Sequence, residues 1–138
     1  MLNLTLSEKE QQLVREAYTK SRDNTLAHDI AYVAKLKSSA FDKLLNSHEP
    51  VLQQLGGYAI QLQRFVIDCL NESYAAPLHT LHAFTAVLLY LVNPYDAIPD
   101  NGSDRGYADD VYVLELGLAD GGEALRAYAL ARGIVLPS

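Results

Sequence analysis

The chain has 138 residues, of which 49 % are apolar, and a formal net charge of −6 with a single cysteine. That length and composition suit one folded domain that builds a core without disulfides, and they exclude a disordered chain. Cys69 can form no internal disulfide, which points to a reducing, cytoplasmic setting, and its place in an apolar-periodic segment reads as a small core hydrophobe.

The N-terminal Met1-Leu2-Asn3-Leu4 has neither the basic nor the apolar region of a secretory signal. Ser7-Glu8-Lys9-Glu10 is a capping box, in which the Ser7 hydroxyl accepts from the Glu10 amide and the Glu10 carboxylate from the Ser7 amide. It predicts a helix to about Arg22 with Leu13, Val14, Ala17 and Tyr18 as its apolar stripe. Asp23-Asn24 breaks the chain, and Asn24 or Thr25 is placed to cap a second helix over 25–45, bent at Ser38-Ser39. Leu26, Ile30, Val33, Ala34, Phe41, Leu44 and Leu45 recur along it at helical spacing.

Asn46-Ser47 ends that helix, and Ser47 with Pro50 marks the start of a third, over about 48–71. Leu52, Leu55, Ala59, Leu62, Val66 and Cys69 alternate steps of three and four, a heptad-like seam. The seam suits either an internal bundle core or a homo-oligomer formed through the 52–69 helix. Gly56-Gly57 interrupts it at a cost of about 1 kcal/mol per glycine relative to alanine, which close approach of another backbone would justify.

Pro77 opens a fourth helix, to about Val92. Its apolar run, 83–92, spans about 15 Å, roughly half a bilayer core, so an integral membrane segment is not expected. His79 and His82 lie three apart on one face, without the spacing of a zinc-protease helix. Beyond an acidic turn, a helix over about 107–118 carries Val111, Leu114 and Leu118. Asp120-Gly121-Gly122 is expected to break the chain before a last short helix over 123–132, stopped by Gly133 and followed by the apolar Ile134-Val135-Leu136-Pro137. The expected architecture is all-α: one bundle of five to six helices with no strand.

The acidic turn is Pro94-Tyr95-Asp96-Ala97-Ile98-Pro99-Asp100, then five residues, then Gly106-Tyr107-Ala108-Asp109-Asp110. Residues 1–95 carry 8 basic and 9 acidic groups, whereas residues 96–138 carry 3 and 8. With no lysine or arginine between Phe65 and Asp104, and with Lys35, Lys37 and Lys43 diluted by Asp42 and Glu49, a nucleic-acid partner is disfavoured, because binding requires clustered cations. Ser103 sits in no nucleophile elbow, and no glycine-rich phosphate loop is present.

The motif Pro94-x-Asp96-x-Ile98-Pro99-Asp100 … Gly106-x-x-Asp109-Asp110, entered through Leu88-Leu89-Tyr90-Leu91-Val92-Asn93, resembles the signature of the domain of unknown function 1232 family, also called the YkvA family. The likeness covers roughly residues 80–118 and implies two apolar helices flanking the turn, but no defined activity. This chain departs from the family pattern in the polar Asn101-Gly102-Ser103-Asp104-Arg105, where relatives carry an apolar segment; such a tip belongs in water.

Two uses of the four aspartates follow. Asp96 and Asp100 can accept from turn amides, and Asp109 and Asp110 can sit in the first turn of the next helix, where the dipole favours negative charge by about 0.3–1 kcal/mol each. Alternatively, Asp96, Asp100, Asp109 and Asp110 converge on a hard cation such as Mg²⁺ or Ca²⁺, which takes oxygen ligands, with His82 nearby. Tyr90, Tyr95, Tyr107 and Tyr112 surround the turn and either form a docking face or cover the bundle end. The sequence therefore points to a non-enzymatic interaction module that docks a cationic protein through the 94–110 turn. The alternative is a divalent-metal-dependent hydrolase or metal-binding protein. Peripheral membrane association through the apolar helix and the 134–136 segment is a third expectation.

Overall fold

The computed structural model describes residues 6–92 and 107–137, and these form an all-helical bundle with no strand among them. α1 (Glu8–Asp23) starts at the expected capping box: the Ser7 amide donates to Glu10 Oε1 at 2.9 Å and the Glu10 amide to Ser7 Oγ at 3.1 Å. Val14 and Tyr18 point into the core, but Leu13 lies off the buried stripe and is 42 % exposed. Asn24 and Thr25 do not cap the next helix. Asn24 Nδ2 donates back to the Lys20 carbonyl and Thr25 Oγ1 to that of Ser21, so both close α1. The following N-cap is Leu26, whose amide donates to Asp29 Oδ2 at 2.9 Å.

The expected 25–45 helix is divided into α2 (Ala27–Ala34), a 3₁₀ turn (Ser38–Phe41) and α3 (Asp42–Leu45). Gln63, buried on α4 (Pro50–Leu70), donates its Nε2 to the carbonyls of Val33 at 3.1 Å and Leu36 at 2.6 Å. A continuous helix would have satisfied those carbonyls itself; here a side chain 27 or more residues away does so, and the chain turns. The turn delivers Phe41 and Leu44 to the core.

α4 begins with Pro50 at its first position, and its N-cap is Glu49 rather than Ser47; the Ser47 hydroxyl accepts from the Glu49 amide instead. Its seam is the interior of the chain's own bundle: Leu55, Ala59, Leu62 and Val66 are each no more than 1 % exposed. A coiled coil through this seam would have to unpack that core. Gly56 provides the anticipated close approach, since a Cβ there would lie 3.0 Å from Leu44 Cβ and 3.1 Å from the Leu45 amide nitrogen.

α5 (Leu78–Val92) and α6 (Ala108–Arg132) pack side by side and flank the acidic turn. α5 is buried along 83–88, as its apolar run requires, and no helix among the described residues is long and apolar enough to cross a membrane. α6 corrects an expectation, because it runs unbroken through Asp120-Gly121-Gly122. Gly117 and Gly121, one turn apart, face α5. A Cβ at Gly121 would sit 2.8 Å from the Phe84 ring and 2.9 Å from Thr80 Cγ2, and one at Gly117 would collide with Val87. These glycines let two helices touch, and the packing gained outweighs their low helix propensity. Phe65, Tyr74, Phe84 and Tyr128 meet edge to face with centroids 4.9–5.6 Å apart, joining α4, α5 and α6. Gly133, at φ 66°, ends α6 in the left-handed conformation that glycine adopts readily.

Candidate functional site

Of the residues singled out in the sequence, Pro94, Tyr95, Asp96, Pro99, Asp100 and Gly106 lie outside the described residues, as does the 101–105 tip. Tyr107, Asp109 and Asp110 are placed at the start of α6. Tyr107 is its N-cap, half-buried against the core. Asp109 and Asp110 occupy the first turn and are 3 % and 7 % exposed. The Tyr90 hydroxyl, near the end of α5, donates to Asp109 Oδ2 at 3.0 Å. This bond joins the two helices directly beside the turn and adds to the favourable field of the helix N-terminus. Successive helical residues point about 100° apart, so Asp109 and Asp110 leave α6 in different directions.

Of the tyrosines near the turn, Tyr90, Tyr107 and Tyr112 engage with the bundle. Tyr90 and Tyr112 are half-buried, and the Tyr112 hydroxyl accepts from Arg15 Nη1 at 2.9 Å, tying α6 to α1. His79 is 58 % exposed with its Nε2 3.9 Å from Asp120 Oδ1, and His82 is half-buried. Among the described residues, no group of three or more His, Cys, Asp or Glu side chains is arranged to hold a metal ion. Cys69 packs against the core, and burial, with help from Asp68, pushes its thiol above the ordinary range, which suits a packing residue rather than a nucleophile.

Two polar clusters were not anticipated. The Tyr18 hydroxyl donates to Asp120 Oδ2 at 2.6 Å, and Arg22 Nη1 donates to the same oxygen at 2.8 Å while its guanidinium lies 5.7 Å from the Tyr18 ring centre. The Tyr128 hydroxyl donates to Asp68 Oδ2 at 2.6 Å, and Arg132 reaches that oxygen at 3.8 Å while lying over the Tyr128 and Tyr74 rings. In both, an arginine follows its tyrosine by four residues, and the aspartate comes from another helix. Burial, then the neighbouring aspartate, raises both tyrosines, which stay neutral donors. Burial works against ionising Asp120, but the Tyr18 and Arg22 hydrogen bonds outweigh it and hold the carboxyl below its usual range. The Tyr-x-x-x-Arg spacing was visible in the sequence; the aspartate partners, 60 and 102 residues away, were not.

In comparisons with known protein families, curated proteins and solved structures, the chain has no significant match.

Proposed function

We propose that this chain is a helical interaction module without catalytic activity of its own, which docks a cationic protein partner through the acidic 94–110 turn. The Tyr90–Asp109 hydrogen bond carries the proposal, because it gives a motif carboxylate a structural task at the base of the turn. Asp96, Asp100 and Asp104, opposed there by Arg105 alone, then remain as the charge available to a partner. On this reading the likeness to the domain of unknown function 1232 family lies in the helix–turn–helix unit itself. The single Cys69, which can form no internal disulfide, fits the cytoplasm.

The test is fluorescence anisotropy of a labelled lysine-rich peptide at low salt. Asp100→Lys with Asp104→Lys is expected to weaken binding at least tenfold, since rim charges govern encounter and salt dependence. Unchanged binding by a folded variant would refute the docking surface.

A second reading, a metal-binding protein or metal-dependent hydrolase, is favoured by the burial of two adjacent carboxylates, Asp109 and Asp110, since hard cations offset such burial. Calorimetric titration with Mg²⁺, Ca²⁺ and Mn²⁺ separates the two: binding that Asp109→Asn weakens supports the metal, and no heat at millimolar metal removes it.

A further inference from the structure

Gly56 and Gly57 stand together inside α4, yet only Gly56 is explained by the helix packing. A Cβ on Gly57 would meet, among the described residues, Pro137 alone, with Cγ at 3.0 Å and Cβ at 3.8 Å. Beside it, the Tyr58 hydroxyl donates to the Pro137 carbonyl at 3.0 Å. A residue poorly suited to a helix interior thus forms a notch whose one neighbour is a proline ring, and the next residue fixes that proline's backbone. The approach to the notch also has the form of a recognised peptide. Ile134 and Leu136 pack against the core while Val135, between them, is 90 % exposed, the alternation of an extended segment read from one side. Gly133 detaches this segment from α6 in a left-handed conformation. Among the described residues, apart from the Ile134 amide bond to Ala129 that closes α6, the Tyr58 bond is the polar anchor seen for it. A short segment with so few ties opens far more readily than the bundle core.

We propose that the Gly57–Tyr58 notch on α4 is a docking site for an extended segment of another protein with the pattern apolar-any-apolar-proline, and that residues 134–137 occupy it as a displaceable strap. Proline-containing extended segments suit such a role because little conformational freedom is lost when they bind. A strap in the same chain competes at an effective concentration in the millimolar range, which makes the notch selective for better-fitting partners.

The test uses the full chain and a labelled peptide, Gly-Ile-Val-Leu-Pro-Ser, followed by fluorescence anisotropy and, for weak binding, by amide chemical shifts. Pro137→Gly removes the ring from the notch and is expected to raise peptide affinity at least tenfold over the unaltered chain. Adding Gly57→Val should abolish that gain, and replacing the peptide's proline by alanine should weaken binding several-fold. Leu136→Asp provides a second, independent release of the strap. The proposal is overturned if either released chain keeps its helical circular dichroism yet binds no peptide at millimolar concentration. It is also overturned if both variants unfold, which would make the strap part of the core. A concentration-dependent dimer that exchanges residues 134–137 would assign the notch to a second copy and overturn it as well.

Discussion

Replacing Asp120 by alanine strips the α1–α6 contact of its shared acceptor. Tyr18 is 3 % exposed and loses the oxygen its hydroxyl reaches at 2.6 Å. A buried donor left without a partner costs roughly 1–3 kcal/mol. Arg22, at 2.8 Å, retains Asp23 at 3.0 Å and sits partly in water, so losing Asp120 costs it roughly 0.2–1 kcal/mol. The expected loss for Asp120→Ala is therefore about 1–4 kcal/mol, a large part of the roughly 5–15 kcal/mol that a domain has. Tyr18→Phe removes donor and desolvation together and should cost only about 1 kcal/mol. Urea unfolding at pH 7 measures both, with an unchanged m-value showing that the native state is intact. The pH dependence provides an independent check. Because the folded Asp120 carboxyl lies below its ordinary value of about 3.9, its contribution is fully present above that pH and is lost as pH falls through the lower folded value. The difference between wild type and Asp120→Ala should accordingly narrow below about pH 4. A loss under about 0.5 kcal/mol at pH 7, or a difference that does not shrink in acid, would refute this account of the cluster.

Gly121→Ala places a methyl group within 2.9 Å of Phe84 and Thr80, and overpacking of this kind should cost about 1–3 kcal/mol in thermal unfolding despite alanine's better helix propensity. Gln63→Leu leaves the Val33 and Leu36 carbonyls without their side-chain donor and should cost about 2 kcal/mol, with faster amide exchange confined to residues 33–41. Tyr90→Phe removes the hydroxyl that reaches Asp109 and should cost about 1–2 kcal/mol, with hydrogen exchange rising at the start of α6. Glu72→Gly should stabilise the chain by about 1 kcal/mol in urea unfolding, because Glu72 sits at φ 59°, where a side chain is unfavourable.

The features legible in the sequence were those decided within one or two turns of chain. The capping box at Ser7, Pro50 at the head of α4, the apolar run of α5 and the Gly133 stop each set a helix end or face through neighbours a few residues away. Where the sequence misled, the deciding group lay far along the chain. Asp120-Gly121-Gly122 has the composition of a break, but Phe84 and Thr80 need the space the glycine leaves, so the helix continues. Residues 25–45 have one helical periodicity, but Gln63 takes carbonyls from the middle of it. The candidate site divides along the same line. That Asp109 and Asp110 fall in a first helical turn was readable from local pattern, whereas the Tyr90 partner of Asp109 required α5 and α6 to be packed together.

These partners also give a task to three of the chain's nine tyrosines, Tyr18, Tyr90 and Tyr128. Along its length α6 is bound to three other helices by a tyrosine–aspartate hydrogen bond: to α5 through Tyr90–Asp109, to α1 through Tyr18–Asp120, and to α4 through Tyr128–Asp68. A tyrosine hydroxyl is a neutral donor on a large apolar ring, so it can fill core volume and still solvate a carboxylate at the core's edge, whereas a lysine would bring a second charge to desolvate. The arrangement also alters what the acidic balance of residues 96–138 means. Asp109, Asp110 and Asp120 belong to that count of 8 acids, yet the first two are buried and the third is held by Tyr18 and Arg22. Two of these eight carboxylates, those of Asp109 and Asp120, are thus used to fasten α6 in place. On the proposed function the turn's remaining charge is that of Asp96, Asp100 and Asp104, which is why reversal of Asp100 and Asp104, rather than of Asp109 or Asp110, separates a docking role from a structural one.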